Sequence, residues 1–479
     1  MKQIFFLIIG LSIISAQGQG LHKNTFRLIQ DGEDVPYSGS LHGYGIVDLL
    51  VKDSILWAAT GYALNKSADG GEQWQAFTKD NHQGKGGITA FNYMDDQTLW
   101  IATAFDTTIS GEDLTAGGGL SYTKDGGQSW VHIPQPVDPR DVTDYSPTTT
   151  KVQNIAYDIA FIDSTIWIAS YGGGLRRSDD MGETWQVVTT DGRPFSSGDY
   201  VNHRAFSLLN ENDNLWVGTA EGISKTSDNG KTWERFTASN QEFPISGNFV
   251  VALAYQQETH TVWAATIEAL DTSEVRAVSK TSNGGETWDV MLEGNFPHNF
   301  GFDEKRVYVA ADEGLFVSDD EGETWYTFGP IRSYDQAEEL FFEEYYSVAS
   351  QKFNGRNKLW LGTSRGLALT ENNGNTWEIV PAYVSTKTQK KDKVYAYPSP
   401  FTPTEDGFCR FQVIPDEHKQ IDIKIYDFSM DLVRKISIDQ LKPKWDGKND
   451  NGNNVASGVY FFRAEVDGDV NWGKIVVVN

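Results

Sequence analysis

Short apolar runs alternate with turn-forming residues along most of the chain, which predicts strands rather than helices. Seven times, a run that combines an aromatic residue with very small ones, such as residues 56–60 or 215–219, precedes one recurring polar turn. The turn has the pattern Ser/Thr-x-Asp/Asn-x-Gly-x-x-Trp, and we call its seven copies the box turns. Their Asp/Asn and Trp positions are Asp69 and Trp74, Asp125 and Trp130, Asp180 and Trp185, Asp228 and Trp233, Asn283 and Trp288, Asp320 and Trp325, and Asn372 and Trp377.

The spacing of the box turns predicts one repeat of four strands. From Trp74 to Trp377 is 303 residues over six intervals, about 50 residues each, which is the length of a propeller blade. Apolar runs at 46–51 and 250–254 fit the innermost strands, so each box turn joins a third strand to the outermost one. The sequence therefore predicts an all-β chain with a seven-bladed β-propeller over residues 43–383.

Each position of the box turn has a physical role. The Asp side chain accepts hydrogen bonds from backbone N–H groups of the turn, and the Gly supplies a positive φ. The Trp begins the next strand with a large apolar body. Asn283 and Asn372 keep the acceptor oxygen, so we expect these two copies to fold in the same way.

These repeats resemble the Asp-box (BNR) repeats of sialidases, sortilin-type receptors, xyloglucanases and photosystem assembly propellers. The resemblance implies the blade structure and says little about function, because the same turn occurs in proteins with unrelated activities. It makes the turn a structural element, and it directs the search for a site to the positions where the repeats differ.

Two repeats carry insertions between their second and third strands. From the second-strand aromatic residue to the Trp of the box turn is 30 residues in the second repeat (Trp100 to Trp130) and 25 in the fifth (Trp263 to Trp288), against 17 or 18 elsewhere. Strand alternation places these insertions, and the long links between repeats, on the face opposite the box turns. Loops on a rigid scaffold are where binding residues concentrate. The candidate ligand residues on this face are Asp106, Arg140, Asp144, Tyr145, Arg193, His203, Arg204, Arg332, Glu343, Glu344 and Tyr345.

A polar stretch at 384–394 predicts a linker to a second unit at 395–479. That unit contains strand-like runs at 411–414, 421–426, 459–464 and 474–478. Its Pro-Phe-x-Pro opening at 400–403, its Ile-Lys-Ile-Tyr-Asp run at 423–427 and its Trp-Asp-Gly at 445–447 are similar to the Ig-like domain of the flagellar hook-capping type and to sorting domains of type IX secretion substrates. Residues 428–433 depart from that pattern, which usually has a Gly there. The resemblance implies a small Ig-like β-sandwich and a partner in the secretion machinery.

Residues 1–18 have the pattern of a secretory signal peptide: Lys2, an apolar run at 4–14 and small residues at 16–18. Residues 19–42 follow as an N-terminal segment, in which 26–29 could add an edge strand to the last blade. No later apolar run reaches the ~20 residues of a membrane helix. We expect a secreted or cell-surface protein.

The formal net charge is −26, which disfavours nucleic acid and anionic lipid as partners. The eight histidines show no metal-ligand spacing, and Cys409 is the only cysteine, so no metal and no cofactor are expected. Residues 446–453 carry oxygen ligands at calcium-like spacing, but no bidentate Glu follows, and a turn is the favoured interpretation.

No set of catalytic residues is recognisable. We expect a non-enzymatic propeller that binds a protein or a glycan through its loop-rich side. The alternatives are a glycoside hydrolase of the sialidase or xyloglucanase kind on the same face, and a structural module of a secretion or gliding apparatus. The segment that usually carries the first sialidase arginine is missing; Arg140, Arg193, Arg204 and Arg332, with the Glu-Glu-Tyr-Tyr run at 343–346, keep the hydrolase hypothesis open.

Overall fold

The computed structural model describes residues 41–43, 45–269, 274–328, 331, 344–364, 366–382, 394–397, 399–413, 421–437, 443–466 and 469–479. These residues form two compact units, and the strands from Ile46 to Pro381 belong to the larger one. The expected signal peptide, residues 19–40 of the N-terminal segment with the possible edge strand at 26–29, and residues 384–393 of the linker lie outside the described residues.

The larger unit consists of four-stranded antiparallel sheets that follow one another along the chain. The first sheet contains β1 (Ile46–Lys52), β2 (Ile55–Thr60), β3 (Leu64–Ser67) and β4 (Gln75–Phe77). The second contains β5 (Gly87–Tyr93), β6 (Leu99–Ile109), β7 (Glu112–Thr123) and β8 (Val131–Ile133). The third contains β9 (Ala156–Ile162), β10 (Thr165–Ser170), β11 (Gly174–Ser178) and β12 (Gln186–Val188).

The remaining four sheets repeat the same order of strands. The fourth contains β13 (Ala205–Glu211), β14 (Asn214–Thr219), β15 (Gly222–Thr226) and β16 (Glu234–Phe236). The fifth contains β17 (Phe249–Gln256), β18 (Thr261–Ile267), β19 (Ala277–Thr281) and β20 (Asp289–Met291). The sixth contains β21 (Pro297–Asp303), β22 (Arg306–Ala311), β23 (Gly314–Ser318) and β24 (Tyr326–Thr327). The seventh contains β25 (Tyr345–Phe353), β26 (Arg356–Thr363), β27 (Gly366–Thr370) and β28 (Glu378–Pro381).

The sheets form a closed ring with their first strands at the centre. The first strand of each sheet contacts the first strand of the next, and β1 contacts β25 of the seventh sheet. Leu41 is fully buried in the cluster between the first and seventh sheets. The backbone N–H of His42 donates to Asn65 Oδ1 at 2.8 Å, so the end of the N-terminal segment is bound to the first sheet. This arrangement is a β-propeller.

Each box turn is closed by its own side chains. In the first, Ser67 Oγ donates to Asp69 Oδ1 at 2.8 Å, and the N–H groups of Gly71 and Gln73 donate to Ser67 Oγ and Asp69 Oδ1 at 2.8 and 3.0 Å. Trp74 Nε1 then donates to the Gly71 carbonyl at 3.1 Å. The same Ser/Thr and Asp/Asn bonds occur around Asn283 and Asn372, because an amide oxygen replaces the carboxylate oxygen.

The box turns also join neighbouring sheets. In four places the second-strand Trp of one sheet meets the box-turn Trp of the next edge to face, with interplanar angles of 86–88°. These pairs are Trp167–Trp233, Trp216–Trp288, Trp263–Trp325 and, across the junction that closes the ring, Trp360–Trp74. A Cβ on Gly71 would lie 2.4 Å from the Trp360 ring, so the box glycine is needed for this close approach as well as for its φ of 98°.

A cation fixes several of these junctions. Lys225 lies 4.6 Å from the centre of the Trp216 ring, and its Nζ donates to the Gly284 carbonyl in the next box turn at 3.0 Å. Lys66, Lys280 and Arg177 make the equivalent pair of contacts. At the closing junction Lys358, which lies on the second strand instead, reaches the Gly70 carbonyl at 2.8 Å. Burial lowers the pKa of Lys66.

The smaller unit is a β-sandwich. Its three-stranded sheet contains β29 (Val394–Tyr397), β30 (Cys409–Val413) and β33 (Lys444–Trp445), and its four-stranded sheet contains β31 (Ile421–Tyr426), β32 (Leu432–Ser437), β34 (Gly458–Val466) and β35 (Asp469–Val477). The two sheets enclose one core that includes Cys409, Phe411, Ile423, Trp445 and Phe462. Burial raises the pKa of the Cys409 thiol, so this cysteine is a small apolar residue of the core.

Residues 446–453 form tight turns. Asp446 Oδ1 accepts from the Lys448 N–H at 3.0 Å, and Asn449 Oδ1 accepts from the N–H groups of Asn451 and Asn453 at 3.0 Å each. These oxygens therefore close the turn. Within the described ranges no group of three or more His, Cys, Asp or Glu residues is placed to hold a metal ion.

Among the residues that the structure describes, helices are few and short. α1 (Lys79–His82) and α2 (Pro403–Asp406) have one turn each, and residues 201–203 form a 3-10 turn. None of the helices formed by the described residues is long and apolar enough to cross a membrane.

The predicted fold class, an all-β propeller followed by a small Ig-like β-sandwich, is confirmed. The predicted runs at 46–51, 250–254 and 421–426 fall on β1, β17 and β31. The box turns join the third and fourth strands, as predicted.

The box carboxylates predict a specific dependence of stability on pH. The hydroxyls of Ser129 and Thr324 and turn N–H groups lower the pKa of Asp125 and of Asp320 to about 2, and Thr184 lowers that of Asp180. An unfolded Asp titrates near ~3.9. Because the folded pKa is lower, these groups stabilise the fold above about pH 4, and that contribution is lost as the pH falls toward about 2.

The variant Asp125→Asn/Asp180→Asn/Asp320→Asn keeps one acceptor oxygen in each turn and removes the titration. We expect it to melt below the wild-type chain at pH 7 and to lose less of its melting temperature between pH 5 and pH 3. Asp289→Asn, at an exposed residue of β20, is the matched control. Equal slopes for the triple variant and the wild-type chain would contradict the prediction.

Candidate functional site

The side of the propeller opposite the box turns carries the links between sheets and the hairpins between second and third strands. We call it the loop-rich face. The insertion of the second sheet extends the β6–β7 hairpin. Its two strands stay paired from Ala104 opposite Gly117 to Ile109 opposite Glu112. Asp106 lies on this hairpin and accepts from Thr115 Oγ1 at 2.9 Å, and burial raises its pKa. Part of the fifth-sheet insertion, residues 270–273, lies outside the described residues.

The seven first strands share a β-bulge at their loop-rich end. In each sheet the register with the second strand skips one residue near the start of the strand. A bulge changes the direction of a side chain, and bulges are frequent beside functional sites. The skipped residues, which we call the bulge ring, are Val47, Thr89, Tyr157, Phe206, Val251, His298 and Tyr346.

One side of the bulge ring is aromatic. The rings of Tyr157 and Phe206 are 5.5 Å apart, and Phe249 lies 4.6 Å from Phe206. Tyr171 packs against Phe206 at 6.2 Å, and the Arg204 guanidinium lies 5.2 Å from the centre of the Tyr171 ring. Tyr157 and Phe206 are buried, whereas Tyr171, Phe249 and Arg204 are half-buried. This group, the aromatic cluster, gives the third to fifth sheets an apolar surface with a cation at its edge.

The opposite side of the bulge ring is polar. His298 Nε2 lies 2.6 Å from Asp312 Oδ1, and the His298 and Tyr346 rings are 5.9 Å apart. The Tyr346 hydroxyl donates to Glu344 Oε2. Two carboxylates therefore lie beside a histidine and a phenol at the sixth and seventh sheets. We call these four residues the polar cluster.

A buried ion pair supports the link between the second and third sheets. Arg176 donates to both carboxylate oxygens of Asp138, at 2.7 and 2.8 Å, and both side chains are almost fully buried. Tyr145 donates to Asp138 Oδ1 at 3.2 Å, and its ring packs against Phe195. Burial opposes the charge of Asp138, but the guanidinium outweighs it and holds the pKa of this carboxyl below its usual range.

A histidine holds the next link. Nδ1 of the buried His203 accepts from the Ser196 N–H at 3.0 Å, so Nε2 carries the proton and donates to Asp191 Oδ1 at 3.1 Å. The ring also stacks on Phe195 at 5.6 Å. Burial opposes the charge of Asp191, but its hydrogen bonds from Arg193, Asn202 and His203 lower its pKa to about 2. His203 therefore supports the loop from inside and has no exposed surface to offer.

The other predicted residues are distributed over the face. Arg140 and Asp144 are exposed. Arg193 is exposed, stacks over Tyr200 at 4.9 Å and lies 3.5 Å from Asp191. Arg204 Nε donates to the Ser197 carbonyl at 2.7 Å. Tyr345 begins β25 opposite Thr363; Arg332 and Glu343 lie outside the described residues.

Three described arginines, Arg176, Arg193 and Arg204, are not brought together with the Tyr346–Glu344 pair. Arg276 is close enough to Asp312 to interact with its charge, but it is paired with Glu268. Arg176, Arg193 and Arg204 belong to the third sheet and to the link between the third and fourth sheets, whereas Tyr346 lies in the first strand of the seventh sheet on the other side of the ring. A carboxylate-binding set of three arginines facing a Tyr–Glu pair is therefore not formed by the described residues.

The fifth sheet contributes an open cleft of about 450 Å³ lined by Glu268, Glu274, Val275, Arg276, Glu293 and Gly294. Three of its four charged side chains, those of Glu268, Glu274 and Arg276, are already engaged. Glu268 holds Arg276 through both carboxylate oxygens at 3.0–3.1 Å. Glu274 accepts from Asn248 and from the Ala269 N–H. The cleft is acidic around one arginine.

Sequence reasoning missed the bulge ring and the Asp138–Arg176 pair. A bulge adds one residue to a strand and leaves the alternation of apolar residues nearly unchanged, so it leaves little trace in the sequence. Arg176 could have been noticed in the sequence, although the signal is weak. It occupies a position of β11 at which other third strands carry the smaller residues Asn65, Ser224 or Ser279. His298 and Asp312 show no spacing that would have linked them.

The comparisons with known proteins agree with this architecture. The profile of the FlgD Ig-like domain matches residues 404–469. A xyloglucanase from a Paenibacillus species is 27% identical over 186 residues, which cover 32% of this chain and 17% of that protein. The chain thus spans under a fifth of that curated relative.

Solved structures with the same fold include two enzymes. The GH74 xyloglucanase from Xanthomonas campestris has a TM-score of 0.53 at 13% identity and covers 73% of this chain and 56% of that one. An ancestral GH74 enzyme has a TM-score of 0.52 at 13% identity over 92% of this chain and 64% of that one. At this identity the likeness shows the fold alone.

The buried ion pair predicts a large asymmetry between two variants. Arg176→Met leaves Asp138 charged and unpaired in the interior, which costs about 3–5 kcal/mol of folding free energy. Asp138→Asn/Arg176→Met removes the buried charge, and we expect it to recover part of the loss. Urea denaturation followed by tryptophan fluorescence measures both.

The matched control is Arg356→Met, which breaks an exposed pair with Glu371 at 3.0 Å and should change the free energy of unfolding little. Equal losses for Arg176→Met and Arg356→Met would contradict the assignment of Asp138 and Arg176 as a buried structural pair.

Proposed function

We propose that the chain is an exported, secreted or cell-surface β-propeller that binds a protein or a glycan through its loop-rich face and catalyses no reaction. In this proposal residues 1–18 are a signal peptide, 19–42 an N-terminal segment, 43–383 the propeller, 384–394 a linker and 395–479 an Ig-like sorting domain. The sorting domain engages the secretion machinery.

The observation that carries the proposal is the aromatic cluster with Arg204 at its edge. Tyr171 and Phe249 are half-buried, and both pack against the buried ring of Phe206, which in turn contacts Tyr157. Rigid aromatic surfaces beside an arginine are typical of binding sites, because such rings bury area without losing much conformational entropy. Arg204 is held by the Ser197 carbonyl and by Tyr171. Its side chain therefore loses little conformational entropy when a ligand binds.

The surrounding links are fixed before any ligand arrives. The Asp138–Arg176 pair and the His203–Asp191 bond hold residues 134–151 and 189–204 against the third sheet. A face of preordered loops favours capture of a partner. The chain's net charge of −26 favours partners that are neutral or basic over anionic ones.

The polar cluster supports a second candidate, a glycoside hydrolase. Glycosidases generally use two carboxylates on either side of the scissile bond, and Glu344 and Asp312 lie beside the neighbouring rings of Tyr346 and His298. The similarity to xyloglucanases points to β-glucans as the substrates to test first. Binding without turnover is the preferred function because the described residues form no set of three arginines opposite the Tyr346–Glu344 pair.

One set of assays separates the two functions. Xyloglucan oligosaccharides and sialyl-lactose are titrated into the purified chain by calorimetry and incubated with it for release of reducing sugar. We expect binding without turnover, and at least about tenfold weaker binding by Arg204→Ala/Phe249→Ala, because the variant removes the cation and one of the two partly exposed rings of the aromatic cluster. Lys231→Ala, at an exposed residue of the box-turn side, is the control.

Two outcomes contradict parts of this proposal. Turnover that disappears in Glu344→Gln would establish the hydrolase. If neither glycan binds, a photo-crosslinking residue at position 204 tests for a protein partner in the cell envelope, with the same residue at position 231 as its control. Equal crosslinking at the two positions would exclude the aromatic cluster as the binding site.

The sorting role of residues 395–479 predicts where a truncated chain stops. Without these residues the propeller should cross the inner membrane and remain in the periplasm of a bacterium that has a type IX secretion system. The intact chain should reach the surface or the medium, and should fail to do so in a strain lacking that system. Immunoblots of cell fractions measure both, and protease resistance of the truncated chain shows that the propeller has folded. A truncated chain that still reaches the medium contradicts the role.

A further inference from the structure

The smaller unit has a concentration of exposed apolar side chains. Of the fourteen large hydrophobic side chains that are exposed among the described residues, seven lie between residues 428 and 478. Exposed apolar side chains gathered in one place mark an interaction site. Five of the seven lie toward one end of the four-stranded sheet, at the β31–β32 hairpin and the adjacent ends of β34 and β35, and we call them the apolar end: Phe428, Met430, Leu432, Val459 and Val478.

The outward side chains of this sheet change in character along its strands. Ile423 and Ile425 are buried in the core, so Lys424 between them points outward, as do the residues paired with it. Three outward rows follow one another along β31, about 7 Å apart. The row next to the apolar end is Leu432, Tyr426, Phe461 and Lys474; the second is Lys435, Lys424, Arg463 and Trp472; the third is Ser437, Asp422, Glu465 and Val470. Apolar, cationic and acidic groups therefore succeed one another along a single axis.

Aromatic rings join the first row to the second. The Trp472 ring lies 5.7 Å from that of Tyr426, on the other side of β34, and the Phe428 ring lies 6.4 Å from that of Phe461. Tyr and Trp have an apolar body and a polar tip, and they are enriched where hydrocarbon meets water. On this face they lie at the boundary between the apolar end and the cations.

The outer face keeps an excess of positive charge. Lys435 and Arg463 lie 3.8 and 3.0 Å from carboxylates of the third row, those of Asp422 and Glu465. Lys424 forms no ion pair with a described residue. The three rows together hold four cations against two carboxylates, and the cations lie nearer to the apolar end.

We propose that the smaller unit docks on an anionic lipid surface, with its apolar end inward and its strands steeply inclined to the membrane plane. Phe428 and Met430 enter the edge of the hydrocarbon, Tyr426 and Trp472 lie at its boundary, and the second row contacts lipid phosphates. The headgroup layer of a bilayer is about 5–8 Å thick, which matches the spacing of about 7 Å between rows. The carboxylates of the third row then stay in water.

The order of the rows favours a lipid surface over an acidic protein. A protein partner would need complementary charges at matching positions, but no fixed succession of layers. A bilayer has such a succession: hydrocarbon, then a boundary that suits Tyr and Trp, then phosphates that attract Lys and Arg. The apolar end and the three rows repeat it in the same order. Lysine stems can also cover apolar surface while their ammonium groups stay among the phosphates.

Two features limit the depth and strength of docking. Asp427 Oδ1 is held in the hairpin by the N–H groups of Ser429 and Asp431 at 2.9 and 3.0 Å, but Asp431 is exposed, so insertion stops at the apolar tips of the hairpin. The net charge of −26 disfavours anionic lipid for the chain as a whole. Residues 395–479, however, hold thirteen Asp and Glu against ten Lys and Arg, and salt screens charges that lie beyond ~8 Å. Docking is therefore shallow and reversible.

Flotation with lipid vesicles tests the proposal, whatever the propeller itself binds. The chain is purified after export, without residues 1–18, because their apolar run would itself bind lipid. Vesicles of phosphatidylcholine are compared with vesicles that also contain phosphatidylglycerol. We expect at least about tenfold tighter binding to the anionic vesicles, because each Lys or Arg near the surface adds attraction. Raising NaCl from about 0.15 to about 0.5 M should weaken that binding.

Paired variants separate the apolar and the cationic contributions. Phe428→Ser/Met430→Ser removes the inserted side chains and should bind the anionic vesicles at least about tenfold more weakly. Val470→Ser, at the other end of the sheet and 46% exposed, is its control and should bind unchanged. Lys424→Gln/Lys474→Gln should weaken binding to the anionic vesicles at least about tenfold and leave binding to phosphatidylcholine unchanged. Lys231→Gln, an exposed lysine of the propeller, is the second control.

A fluorescent label reports which end of the sheet enters the lipid. Met430→Cys carries a polarity-sensitive fluorophore, and we expect its emission to move to shorter wavelength when anionic vesicles are added. The same label at Val470→Cys should stay in water and keep its emission. Cys409 is buried, so it does not compete for the label.

Four results overturn the proposal. One is a chain that floats with neither kind of vesicle, which would leave the cationic face to an acidic protein. Another is a Phe428→Ser/Met430→Ser variant that floats as well as Val470→Ser. The third is an equal shift of the label at positions 430 and 470. The last is a shift at position 430 that appears without vesicles as the chain concentration rises, because it would assign the apolar end to a second copy.

Discussion

The propeller depends on the contact between a second-strand tryptophan and the box turn of the following sheet. The tryptophan fills the space that the box glycine leaves empty, as Trp360 does at Gly71, and in several junctions a lysine or arginine reaches over its ring to a carbonyl of that turn. One turn therefore closes its own hairpin, orients its own Trp and receives the neighbouring sheet. The turn is also a contact surface for the neighbouring sheet. It tolerates Asn for Asp because the acceptor oxygen is kept, but it keeps its glycine because the neighbouring tryptophan fills the space beside it.

The other side of the ring takes no part in these junctions, so its loops can vary. All junction contacts of the box turns lie at one end of the sheets, so the links and hairpins at the other end can change length without disturbing them. The second sheet extends its hairpin there, and the third and fourth sheets fix their links with Asp138–Arg176 and His203–Asp191. The aromatic cluster and the polar cluster both lie at this end, on opposite sides of one ring of bulges.

The fold could be predicted from the sequence because its signals are local: a turn with fixed spacing, an aromatic residue before it and a composition rich in Gly and Trp. The interface role of Gly71 and of Lys66 could have been inferred too, since a lysine or arginine directly precedes the box in four copies, at Lys66, Arg177, Lys225 and Lys280. Less of the candidate site could be predicted from the sequence. Arg204 was predicted as a surface residue, and it lies beside the aromatic cluster. His203 was predicted on the same face but is buried. The pairing of His298 with Asp312 depends on a bulge and a hairpin that only the tertiary structure brings together.

The junction that closes the ring has a consequence for the order of assembly. Lys358 and Trp360 meet the turn at Gly70 and Gly71 across 288 residues of chain, whereas every other junction joins sheets that are consecutive in sequence. A chain that emerges from its N-terminus can build each junction as soon as the next sheet appears, but it cannot seal the ring until the seventh sheet has followed. Until then the first and sixth sheets each expose an unpaired flank, and the nascent propeller is an open arc.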